Sequence, residues 1–177
     1  MNVCVRALTA LVALLCASVS HATLISYSAT SLSDSIWRYD YSITNDTLPD
    51  SLSYFVLEFD RALYANLRDQ AAPDGWDVLL LQPDLELPAN GVFDSLALNG
   101  GIAFGDTLAG FSVTFDFLGQ GLPLDQPFSV LDPFSFEQVE SGAAQNDTVA
   151  TVAEPRSLFM MSFGLLLLIS GIRTRLR

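Results

Sequence analysis

Between residues 23 and 140 several short runs of this chain place an apolar side chain at every second position, and that period decides the class of fold. In Ile36–Thr44, Trp37, Tyr39, Tyr41 and Ile43 alternate with Arg38, Asp40, Ser42 and Thr44. Alternation of this kind gives an extended strand one face for a core and one for water. Phe55, Leu57 and Phe59 repeat the pattern in 53–60, and Phe111, Val113, Phe115 and Phe117 repeat it in 111–117. Shorter runs at 24–29, 77–82, 92–98, 128–131 and 134–139 stand between Gly, Pro, Asn or Asp and read as further strands. Val78 to Leu81 is continuously apolar, which suits a strand covered on both faces. Residues 62–68 read as one short helical turn. The expected fold is all-β, an antiparallel β-sandwich of about seven to eight strands over 23–140.

The two ends differ from this body. Arg6 precedes an apolar stretch over 7–19, and Ser20-His21-Ala22 offers small residues at the positions that signal peptidase reads. Residues 1–22 are therefore expected to be a signal peptide cut after Ala22. At the other end, 141–151 is small and polar and reads as a flexible linker. An uncharged, mostly apolar run over 158–172 follows, and the chain closes on Arg173, Arg175 and Arg177. Fifteen residues at ~1.5 Å rise cover ~22 Å against a hydrocarbon core of ~30 Å, so this transmembrane helix is a short span, with arginines to hold its end in the cytoplasm. The body then lies outside.

Removing both ends changes what chemistry is available. Cys4, Cys16 and His21 all fall within 1–22, and the chain has no lysine, so residues 23–150 contain no Cys, His or Lys. No disulfide can form there, and the commonest nucleophiles, bases and transition-metal ligands are missing. The same segment carries Arg38, Arg61 and Arg68 against nineteen carboxylates, a net charge of −16. Such a surface repels phosphate backbones, which excludes nucleic acid as a partner.

Val152, Ala153, Glu154 and Pro155, with Ser157 after them, form a motif at 152–157 that precedes the apolar run and the basic end at 173–177. In that order the three parts of 152–177 resemble the PEP-CTERM sorting signal of Gram-negative bacteria, with Ala153 where the family has its first proline. The resemblance implies recognition by an exosortase after signal peptidase has acted. It also implies transient anchoring in the inner membrane, removal of the tail near the motif, and delivery to the cell surface or an extracellular polysaccharide matrix. The body, through residues 37–45, Gly75-Trp76-Asp77 and 108–113, looks like the small secreted β-rich domains of that family, which implies a domain without an assigned enzymatic activity.

Aromatic residues and carboxylates are the remaining candidates for function. Trp76, beside the Pro73-Asp74-Gly75 turn, and Tyr39 could stack on sugar rings, although aromatic residues at period two are also what a sandwich core requires. Acids recur at Asp46 and Asp50, Asp74 and Asp77, Asp84 and Glu86, and Asp125 and Asp132, without the Asp-x-Asp-x-Asp-Gly spacing of a calcium loop. They read as a solvated acidic surface with no cofactor, weak calcium binding being the alternative. The expected function is a structural or interaction role at the surface or matrix. A carbohydrate-binding module for exopolysaccharide is the alternative, and a small glycan hydrolase using paired carboxylates the third reading.

Intact mass of the extracellular protein should match a chain that begins at Thr23 and ends near 152–157 when the exosortase is present. In its absence the tail should stay attached and the protein should remain with the membrane; tail-bearing protein released from such cells would refute the sorting signal.

Overall fold

The computed structural model describes residues 23–123 and 125–147, which form ten strands: β1 (Leu24–Ser31), β2 (Ile36–Thr44), β3 (Tyr54–Phe59), β4 (Tyr64–Ala71), β5 (Trp76–Leu81), β6 (Gly91–Ala97), β7 (Thr107–Phe117), β8 (Pro127–Leu131), β9 (Gln138–Ala143) and β10 (Gln145–Asn146). They make two five-stranded sheets, in the orders β10-β1-β2-β7-β4 and β5-β6-β3-β8-β9. All pairings are antiparallel apart from β1 with β10. The all-β class is as the alternation requires. No helix among the described residues is long and apolar enough to cross a membrane, and the signal peptide, the span at 158–172 and the sorting motif lie outside them.

The inward faces of the two sheets meet through rings. Phe59 of β3 stands 5.9 Å from Phe115 of β7, Phe55 of β3 stands 5.1 Å from Phe111 of β7, and Tyr41 of β2 stands 6.3 Å from Phe93 of β6. Tilted and edge-on pairs of this kind add about 0.5–1.5 kcal/mol each beyond the area they bury. One polar side chain sits among them. Gln126 is fully buried, donates through Nε2 to the hydroxyls of Tyr64 (2.8 Å) and Tyr39 (3.3 Å), and accepts from the Tyr41 hydroxyl through Oε1 (3.3 Å). Beside it Tyr27 donates to Asp125 Oδ1 at 2.7 Å. The segment that leads into β8 of the second sheet is thereby tied to β1, β2 and β4 of the first by groups that would otherwise be buried without partners.

Several expectations change. The helical turn expected at 62–68 is a tight turn followed by the edge strand β4, because Asn66 (φ 53°) and Asp69 (φ 52°) take left-handed conformations and insert two bulges opposite β7. Those bulges stretch the inward spacing from two residues to three, so Tyr64 and Leu67 are both buried and imitate a helical period. The apolar run 78–81 is not covered on both faces. It lies in the edge strand β5, where Leu79 and Leu81 are 57% and 49% exposed. The strand expected at 134–139 begins only at Gln138, and residues 141–146 of the expected linker are not free chain. Ser141 to Ala143 continue β9, Ala144 is buried, and β10 pairs with β1.

Both lateral openings of the sandwich are bridged. The chain passes from β9 in one sheet to β10 in the other. On the opposite side the Gln82 amide bonds the backbone of Leu67 at 2.6 and 2.9 Å, in place of a missing strand pairing. Within β7, Gly110 (φ 106°) is the extra residue that shifts register between Tyr41↔Phe111 and Ser42↔Ala109, a conformation that an L side chain resists.

Burial holds the phenols of Tyr27, Tyr39, Tyr41 and Tyr54 above their ordinary value, with Asp125 adding to the effect at Tyr27 and Asp94 at Tyr54. A phenol raised in the folded state keeps its contribution below the unfolded value of about 10 and loses it as pH climbs beyond. Unfolding is therefore expected to set in above about pH 10, with phenolate absorbance and loss of strand signal rising in one step. Tyrosines that ionise while the sheet signal stays intact near pH 10 would contradict this core.

Candidate functional site

Tyr39, one of the two proposed sugar platforms, is not at the surface. Its ring is completely buried, 4.5 Å from Tyr27 and 4.7 Å from Phe115, and its hydroxyl accepts from Gln126, so no polymer can reach it. Trp76 opens β5 just after Gly75, whose φ of 84° makes the turn. It is half-buried, with its ring against Phe55 (5.7 Å) and edge-on to Phe111 (5.1 Å). Its contacts are those of a lid on the core. The sorting motif and Arg173, Arg175 and Arg177 lie outside the described residues, as does Ala22.

The acidic loops also have local explanations. Asp84 Oδ1 accepts from the backbone N–H groups of Glu86 and Leu87 and closes its own turn, while Asp125 takes the Tyr27 hydroxyl. Among the described residues no three acidic, His or Cys side chains come together as a metal site. Asp116 and Asp132 are held below the ordinary carboxylate range, by hydrogen bonding from Asn66 and from the backbone of Ser135 respectively. A general acid for glycoside cleavage needs the opposite displacement.

A different part of the molecule combines aromatic surface with an open groove. Between β8 and β9 the chain reads Asp132-Pro133-Phe134-Ser135-Phe136-Glu137. Asp132 organises the loop: Oδ1 accepts from the N–H of Phe134 (2.9 Å) and Ser135 (2.7 Å), its carbonyl accepts from Phe136 N–H (2.9 Å), and its own N–H donates to the Glu137 carbonyl (2.9 Å). This turn leaves Phe136 at φ 60°, a strained position for a bulky residue that costs on the order of 1–3 kcal/mol and persists because its surroundings hold it. The Phe136 ring stands edge-on to Tyr54 at 6.1 Å, and the Tyr54 hydroxyl donates to Asp94 Oδ2 at 3.0 Å. Phe134 is 90% exposed and Phe136 66% exposed.

Alongside runs a groove of about 130 Å³ between the β2–β3 loop and the end of β8. Asp50, Ser51 and Asp132 supply its polar groups, and Leu48, Leu131 and Val139 its apolar ones. Enclosing ligand sites measure roughly 300–1,000 Å³, so this one can support a ligand lying across it but cannot surround one. The arrangement is suited to stacking and hydrogen bonding on an extended surface. The sequence signal for it was the Asp-Pro pair, a turn initiator, which the period-two reading of Phe134 and Phe136 overrode.

No family model matches the chain, and no curated protein does. Among solved structures it is similar to the chitin-binding domain of Chi18aC from Streptomyces coelicolor, with 18% identity, 60% of this chain and 90% of that one covered, and a TM-score of 0.40. It is also similar to the GH20 exo-β-N-acetylglucosaminidase from Vibrio harveyi in complex with N-acetylglucosamine, with 10% identity, 71% of this chain and 18% of that one covered, and a TM-score of 0.37.

Replacing Trp76 with Ala should destabilise the domain by about 2–4 kcal/mol, because the half-buried ring caps Phe55 and Phe111. Denaturant melts measure this, and a melt indistinguishable from the parent would mean that the ring is not part of the core.

Proposed function

We propose that this chain is an exported, non-catalytic binding protein of the cell surface or extracellular matrix, whose sandwich attaches to exopolysaccharide through the loop carrying Phe134 and Phe136. The single observation behind this reading is that two large aromatic rings are held out to solvent by a rigid, Asp132-centred turn beside a shallow groove. Exposed rings on a braced loop have no part in the core, and their apolar faces with nearby polar groups match the alternating character of a sugar ring.

Charge narrows the class of polymer. With a net −16 over residues 23–150, the domain repels polyuronates and other acidic chains at long range, so the polysaccharide is neutral where it touches the loop. Catalysis is not part of the proposal, since residues 23–150 lack Cys, His and Lys and the displaced carboxylates are held ionised. Delivery rests on the ends of the chain: signal peptidase cutting after Ala22, then an exosortase acting near Glu154 and Pro155. A matrix-organising role follows from many such copies, each attached to polymer.

Co-sedimentation of the processed protein with insoluble neutral polysaccharides tests the reading. Phe134→Ala and Phe136→Ala are each expected to weaken binding about 2- to 10-fold, and Phe134→Ala to leave the melting temperature unchanged. Full binding by the double variant would refute the assignment, as would retention on a soluble polyuronate in preference to neutral polymers.

A further inference from the structure

Glu140 of β9 is an acid with three hydrogen-bond donors and, among the described residues, no cation. Its Oε1 accepts from the backbone nitrogen of Thr23 at 2.8 Å, and its Oε2 accepts from the hydroxyls of Thr23 (2.6 Å) and Thr47 (2.8 Å). The two threonine hydroxyls are themselves 3.1 Å apart. Thr23 is buried, although it stands at the outer end of β1, and the contact joins residues 117 apart in the chain across the two sheets. None of the body's three arginines serves this carboxylate. Arg38 pairs with Asp40, Arg68 with Asp116, and Arg61 donates to the Pro88 carbonyl.

The nitrogen at the centre of this arrangement is the one that a cut after Ala22 would release. Hydrolysis of the Ala22–Thr23 bond consumes one water, leaves a carboxylate on Ala22, and leaves an amine on Thr23 that takes up a proton at neutral pH. One uncharged N–H becomes an ammonium with three hydrogens, placed 2.8 Å from a carboxylate oxygen. The amide already donates to an ionised acceptor, and an ammonium in its place ionises the donor as well, so the hydrogen bond gains the attraction of an ion pair.

We propose that Glu140 and Thr47 form a receptor for the terminal ammonium created at Thr23, so that removal of the signal peptide fastens β1 to β9 and locks the domain after export. The inference rests on the exported, cleaved form of the function proposed above, but not on polysaccharide binding. The precursor has the hydrogen bonds without the charge, and so is the looser of the two forms. Cleavage one residue earlier or later would move the ammonium about 3.8 Å along the chain and off the carboxylate, which makes Thr23 the required first residue.

The chain has no lysine, so the terminal amine of the processed body is its one primary amine and can be modified alone. Protein exported from the full-length gene is purified and its N-terminus sequenced, with Thr23 expected first. Part of it is acetylated while unfolded and then refolded, which returns the nitrogen to an amide as in the precursor. Glu140→Gln should lower the melting temperature of the free-amine form by about 5 °C more than that of the acetylated form. The folded free-amine protein should also react with an amine reagent at neutral pH at least about ten-fold more slowly than the Glu140→Gln variant, a readout of burial by pairing that needs no melt. A different first residue would overturn the proposal together with the assigned cleavage site. Thr23 first, with equal melting shifts in both forms or equal labelling rates, would overturn the receptor alone and leave the export reading standing. Loss of polysaccharide binding affects neither measurement.

Discussion

Ring-on-ring packing between two sheets carries this fold, because residues 23–150 contain nothing covalent to replace it. With no cysteine there is no disulfide, and the described residues hold no metal cluster. The aromatic side chains of β1, β2, β3, β4, β6 and β7 must therefore supply both the buried area and the specificity of the interior. They do so in edge-on and tilted pairs, within one sheet from Tyr27 through Tyr39 and Phe115 to Tyr64, and between sheets at Phe55 with Phe111, Phe59 with Phe115 and Tyr41 with Phe93. Tyrosines bring hydroxyls into that interior, and Gln126 answers them with an amide that both donates and accepts. A leucine of similar size would fill the space and leave the hydroxyls to find other partners.

That economy of means explains how the surface is organised. Three of the carboxylates that look like candidate ligands in the sequence are occupied by the chain itself, Asp84 and Asp132 by turn amides and Asp125 by a core tyrosine, and Glu140, which the sequence did not single out, is held by two threonines. A domain so acidic has few cations to offer, so its acids are satisfied by N–H and O–H donors. Among the described residues the most exposed aromatic rings are those of Phe134 and Phe136, which one braced turn holds clear of the core, followed by Phe104 in the loop before β7.

Strands were legible wherever a run kept strict alternation. β2 has the bounds expected of it, and β1, β3 and β6 differ by a residue or two at their ends. β4 was not legible, because two left-handed residues changed its inward spacing to that of a helix, and bulges of this kind are settled by the partner strand. Position within the sheet was equally hidden in β5. Its apolar run reads as interior, yet Val78 and Leu80 face the core while Leu79 and Leu81 point to the outer face of the sheet, where no described element covers them. For the site, the sequence pointed to Tyr39 and Trp76, and the fold used one as core and the other largely as its cover.

By itself the sequence determined the all-β class, which face of most strands turns inward, the reliance on packing alone, and the strongly acidic surface. Each of these is a local or summed property of the residues: a strand's period is fixed by its own backbone, and net charge by counting. Only the tertiary structure decided which rings remain exposed, where the groove lies, and that Thr23 meets Glu140. Those depend on pairings between residues distant in the chain, whose geometry is set by the register of both sheets together and leaves no mark in any single stretch.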